Sequence, residues 1–181
     1  MGGESKRLIG LFSRYFFIVF LGLGNLYIFY KVLTPLTVGS LKAILSIFRE
    51  VSVSGNLIRL ESTTIEIIPA CVAGAAFYLL FILVFSTAKI PPKKRFYMIL
   101  ISSLVLFALN IIRMLFLITL LNSPIFGTIH WILWNFVSTI FVVAIWVGLV
   151  YIYRIKTISI YSDLTYMFEL VRKSKKSHRK N

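Results

Sequence analysis

Residues 96–121 read FYMILISSLVLFALNIIRMLFLITLL. This run exceeds the roughly 20 apolar residues that a helix needs to cross a bilayer core. It carries a single charge, Arg113, deep in its interior. A charge in that setting is costly in lipid, so Arg113 is expected to face protein and to mark function. Asn110 lies three residues earlier, on the same helix face.

Outward from this run, the chain offers more of the same. It has 181 residues, is 59% hydrophobic and has a mean hydropathy of +0.89. That composition points to the bilayer as solvent. Leu8 to Tyr30, Ala70 to Ala88 and Thr128 to Tyr153 are also long enough to span, making four expected spans. Val32 to Phe48 is interrupted by Pro35, Gly39 and Lys42 and reads as an interfacial or re-entrant helix. The basic N-terminus, Met1 to Arg7, resembles a signal peptide, but the apolar run behind it lacks a small-x-small cleavage site and reads as a retained anchor.

The net charge of +14 sits at the ends of apolar runs. There it sets topology and meets anionic headgroups, and it shows no aromatic–basic interleaving of the kind that binds nucleic acid. With both termini in the cytoplasm, the inner side holds Lys6, Arg7, the loop Lys89 to Arg95 and eight basic residues between Arg154 and Lys180. Only Lys31, Lys42, Arg49 and Arg59 fall outside. A spanning Val32 to Phe48 would carry Lys6, Arg7 and Arg14 to the wrong side. The sequence therefore predicts a single all-α integral membrane domain of about four helices, N-in and C-in. Residues 31–69 form an outer insertion, residues 70–153 a three-helix core, and residues 154–181 a basic cytoplasmic tail that starts amphipathic and binds lipid.

Within the insertion, Val51 to Leu60 and Thr64 to Ile68 alternate polar and apolar residues, with Gly55-Asn56 as a turn signal. A small extracytoplasmic β-hairpin is expected, leading through Pro69 into Cys71. Cys71 is the sole cysteine, which excludes an internal disulfide and any multi-cysteine metal site. His130, in Thr128-Ile-His-Trp-Ile-Leu-Trp134, opens the last span. Cys71 and His130 both fall near outer helix ends, and Arg113 lies about 12 Å below its own. Each has a plainer reading alone. Cys71 is a small buried hydrophobe, Arg113 a structural ion-pair member, and His130 an interfacial residue. No Asp or Glu lies in any expected span to pair with Arg113. Arg14 is expected to snorkel, Gly22, Gly24 and Asn25 to serve helix packing, and His178 to belong to the solvated tail.

Together, Gly55-Asn56, Pro69-Ala-Cys71-Val-Ala-Gly74, Asn110-Ile-Ile-Arg113 and His130 resemble the exosortase/archaeosortase family, over about Val51 to Tyr153. Many members carry a small hydroxyl residue and glycine directly after the cysteine, where this chain has Val72-Ala73. The small size and basic character fit the archaeal branch. The resemblance implies a multi-pass cysteine transpeptidase, with no cofactor or metal, in the cell membrane. Its partners would be exported proteins bearing a C-terminal sorting signal (motif, transmembrane helix, basic cluster), cleaved and passed to a lipid or another acceptor. It implies Cys71 as nucleophile, His130 as general acid and base, Arg113 as stabiliser of thiolate or oxyanion, and Asn110 as support. Two other classes fit the residues: a non-catalytic membrane scaffold or assembly subunit, and a small anion transporter.

Overall fold

The computed structural model describes residues 9–155, apart from 11, 14, 17, 21, 23–25, 61–62 and 88–89. The expectations for Met1 to Arg7, Arg14, Gly24, Asn25, His178 and most of the basic tail lie outside the described residues. The described residues from 9 to 22 are helical. Tyr78 holds this first segment, its hydroxyl donating to the Ile18 carbonyl at 3.0 Å.

Three helices are long and apolar enough to cross a membrane: α1 (Tyr27–Leu45), α4 (Pro92–Thr119) and α5 (Phe126–Ile152). The helix boundary at the N-terminal end differs from the sequence reading, which ended one span at Tyr30 and began an interfacial segment at Val32. Tyr27–Leu45 is one helix, running through the positions where an interfacial segment was expected to begin, and it contains Pro35. Leu26, with a left-handed φ of 60°, marks its start. A proline inside a helix removes a hydrogen bond and costs on the order of 3 kcal/mol. Burial of Phe29, Leu33, Val38 and Leu41 along one face offsets that cost. The interruptions read from sequence were thus outweighed by packing.

The outer segment also differs from a simple hairpin. It is a three-stranded antiparallel meander, β1 (Ser52–Ser54), β2 (Leu57–Leu60) and β3 (Thr63–Glu66), in spatial order β1-β2-β3. Gly55 takes φ 62° between β1 and β2, a conformation that glycine adopts without strain. The turn falls at Gly55-Asn56, as the sequence signalled, and Thr63–Glu66 adds a third strand beyond the expected hairpin. Val53, Ile58 and Ile65 pair across the sheet, and Ile58 is fully buried in the core with Leu41 of α1. Ser52, Arg59 and Thr64 pair on the opposite face. Alternation on a pleated strand imposes this division.

The expected span Ala70 to Ala88 is broken. A single turn, α2 (Pro69–Val72), stops at Ala73, and α3 (Gly74–Ser86) starts beyond it. Ala73 has φ 59°, ψ 31°, a left-handed conformation that costs an alanine about 1–2 kcal/mol. A Cβ on Gly74 would come within 2.6 Å of the Tyr30 ring, so only glycine lets α1 approach α3 this closely. The thirteen residues of α3 extend about 20 Å, short of a full crossing. Helices α3, α4 and α5 pack mutually, and α1 lies against α2, α3 and α4.

At the far end of α3, the Arg95 guanidinium donates to the Thr87 carbonyl at 2.9 Å, and Thr87 Oγ1 donates to Leu83 O at 2.7 Å. Most of α5 presents its side chains outward, including Ile140, Val147 and Tyr151. That is expected of a helix facing lipid.

Candidate active site

Proline at its first position starts the α2 turn, and the break at Ala73 leaves the Ala70 and Cys71 carbonyls without a continuing helix. Side chains from α4 take them up. Asn110 Nδ2 donates to Cys71 O at 3.0 Å, and Arg113 Nη2 donates to Cys71 O at 3.2 Å and to Ala70 O at 3.3 Å. Arg113 Nη1 donates to Ser138 Oγ on α5 at 2.7 Å. One guanidinium thereby ties α2, α4 and α5 together.

Arg113 is 7% exposed and Asn110 4%. Burying a guanidinium costs several kcal/mol. Hydrogen bonds to a charged donor return about 1.5–3 kcal/mol each. All the acceptors are neutral oxygens, and Nε is buried with no partner. The charge is therefore solvated by dipoles rather than neutralised by a carboxylate, and its positive field persists beside Cys71.

Ser138 reaches Arg113 because α5 is not regular. Leu133–Val137 forms a π-helical turn, and Ser138 Oγ donates to the Leu133 carbonyl five residues back, at 3.1 Å. Such π insertions accumulate at functional sites because they rotate one part of a helix against the next. His130 lies just before this turn, on the α-helical portion Phe126–Ile132. Its ring stacks on Phe126 one turn earlier, with centroids 5.7 Å apart and planes 9° apart.

Cys71 and His130 line one cavity of about 260 Å³. Glu66, Ile68, Met114 and Leu117 also line it. Both Cys71 and His130 are half-buried, so the cavity is reachable from outside while its walls are mostly apolar. Arg113 stands behind it, bonded to the cysteine main chain rather than to the thiol. Of the expected site residues, Cys71 and His130 share the cavity, while Arg113 and Asn110 share the Cys71 carbonyl.

No protein-family model, curated protein or solved structure matches this chain.

The sequence reading missed Ser138 and Glu66. Ser138 is a hydroxyl in mid-span, which gives a weak signal, and its partner depends on helix packing. Glu66 was passed over because it lies in a strand, outside every apolar run. Among the described residues, no three His, Cys, Asp or Glu side chains come together as a metal site.

Proposed function

We propose that this chain is a cysteine transpeptidase of the cell membrane, of the kind the exosortase/archaeosortase resemblance implies. The observation that carries the reading is the single cavity lined by Cys71 and His130, with Arg113 anchored on the Cys71 carbonyl. The Cys71 thiolate attacks the scissile carbonyl of an exported protein's sorting signal, forming a tetrahedral oxyanion. The carbon–nitrogen bond breaks, His130 protonates the leaving amine, and a thioester remains on Cys71. An acceptor hydroxyl or amine on a lipid or another molecule then loses its proton to His130 and displaces Cys71.

Arg113 acts in two ways in this scheme. Its hydrogen bonds fix the turn that bears the nucleophile, and its charge favours thiolate over thiol. Charge held in place before the reaction is often the largest catalytic contribution, and apolar surroundings strengthen it. Asn110 fixes the same carbonyl. The cavity faces the extracytoplasmic side, with both termini inside. Lys93, Lys94 and Arg95 open α4, and Arg113 lies about 27 Å further along the helix axis, so a cytoplasmic basic end sets the cavity on the opposite side.

The test is processing of a tagged protein carrying a C-terminal motif, transmembrane helix and basic cluster, in cells expressing this chain. Cys71→Ala and His130→Ala should each abolish cleavage while the protein still accumulates in the membrane. Undiminished processing with Cys71→Ala would falsify the enzymatic reading. The scaffold reading draws on one observation: every Arg113 hydrogen bond serves helix packing. It predicts that Cys71 resists a charged, membrane-impermeant alkylating reagent, whereas the transpeptidase predicts rapid reaction.

A further inference from the structure

A second cavity, of about 560 Å³, opens between the end of α1 and strands β1 and β2. Arg49, Glu50, Ser52 and Arg59 line it. Arg59 sits on the outward sheet face, directly opposite Ser52. Neither guanidinium forms an ion pair or side-chain hydrogen bond among the described residues. Among the described residues, two arginines face one carboxylate across the cavity.

Its position decides what anion it fits. The strands that wall it continue into Glu66 and Ile68, which line the Cys71 cavity together with Leu121, Phe126 and His130 at the ends of α4 and α5. The cavity therefore lies at an end of the helix bundle, where headgroups meet the helices. Beside the cavity, Ile47 and Phe48 are 74% and 77% exposed. Two large apolar side chains next to two arginines match a molecule that is apolar at one end and anionic at the other. Guanidinium groups bind phosphate oxygens in a two-pronged geometry that lysine cannot reproduce.

We infer that the Arg49–Arg59 cavity binds the phosphate headgroup of an anionic membrane lipid, with its acyl chains against Ile47 and Phe48. The site is separate from the Cys71 cavity and stands whether or not the chain is an enzyme.

Native mass spectrometry of the full chain in neutral detergent tests this, with phosphatidylglycerol, phosphatidylcholine and inorganic phosphate as probes. Wild type should retain phosphatidylglycerol in preference to phosphatidylcholine. The double variant Arg49→Gln/Arg59→Gln should weaken that binding about tenfold or more, since each basic residue near headgroups contributes on the order of 1 kcal/mol. Arg49→Lys/Arg59→Lys should retain part of it, which shows that charge and not misfolding is responsible. Lys42→Gln, which alters an exposed charge on α1 outside the cavity, should leave it unchanged. Equal phosphatidylglycerol binding by wild type and the glutamine double variant would overturn the site. Displacement of the lipid by millimolar inorganic phosphate would overturn its assignment to a lipid, as would equal weakening by Lys42→Gln.

Discussion

Arg113 donates a hydrogen bond to the main-chain carbonyl of Cys71 at 3.2 Å, from a helix more than forty residues downstream. The contact exists because Ala73 breaks the helix and leaves that carbonyl without an onward partner. A strained alanine and a buried charge thus stabilise each other, and both sit beside the only thiol.

Arg113 should tolerate no conservative replacement. Lysine keeps the charge but cannot span Ser138 and two carbonyls at once. Arg113→Lys is expected to lower stability by about 2–3 kcal/mol, since buried oxygens lose their donors. Thermal unfolding in detergent measures this, and a wild-type transition would show that the bridge carries no stability.

The charge should also be visible in the chemistry of Cys71. A cation nearby favours the thiolate, so its removal moves the onset of reactivity to higher pH. In Arg113→Gln, the pH of half-maximal alkylation should rise, and the rate at neutral pH should fall. Alkylation rates followed by mass spectrometry across pH 6–10 would report it. An unmoved profile would remove Arg113 from any electrostatic role at the thiol.

Ala73 and Gly74 make opposite predictions. Ala73→Gly should raise stability by about 0.5–1 kcal/mol, because glycine adopts a positive φ without strain and the relief exceeds its entropic cost. Gly74→Ala should lower stability by about 1–3 kcal/mol through overpacking against Tyr30. Truncating Tyr30 to leucine in the Gly74→Ala background should recover part of that loss. Additive losses would instead show that the two residues do not meet.

Ser138→Ala should leave Arg113 Nη1 without its acceptor, at a cost of about 1–3 kcal/mol. Ser138→Thr keeps the hydroxyl and should be milder. Comparison of their unfolding midpoints would settle whether the hydroxyl or the small volume matters at this position.

The apolar runs were legible in the sequence because a bilayer imposes length and composition residue by residue. Helix α4 follows directly from residues 96–121. The sheet was legible for a similar local reason, through alternation and a glycine at the turn, although its third strand was hidden. A hairpin with its turn at Gly55-Asn56 was expected, whereas the three-stranded sheet depends on β2 finding both neighbours. The boundary of α1 was misread because proline, glycine and lysine weaken a helix locally, whereas burial along Leu33, Val38 and Leu41 is a tertiary contribution.

The candidate site divides along the same line. Cys71, Arg113 and His130 were visible as chemical exceptions in an apolar chain, and their residue types alone suggested acyl-transfer chemistry. Sequence by itself determined an apolar helical protein with a small sheet and an arginine that had to find polar company in its interior. Only the tertiary structure decided what that company is: two carbonyls released at Ala73 and a hydroxyl rotated into place by the π turn of α5. Spans and strands arise from local periodicity against solvent or lipid. The partners of a buried side chain arise from the relative rotation of packed helices, which no single stretch of sequence encodes.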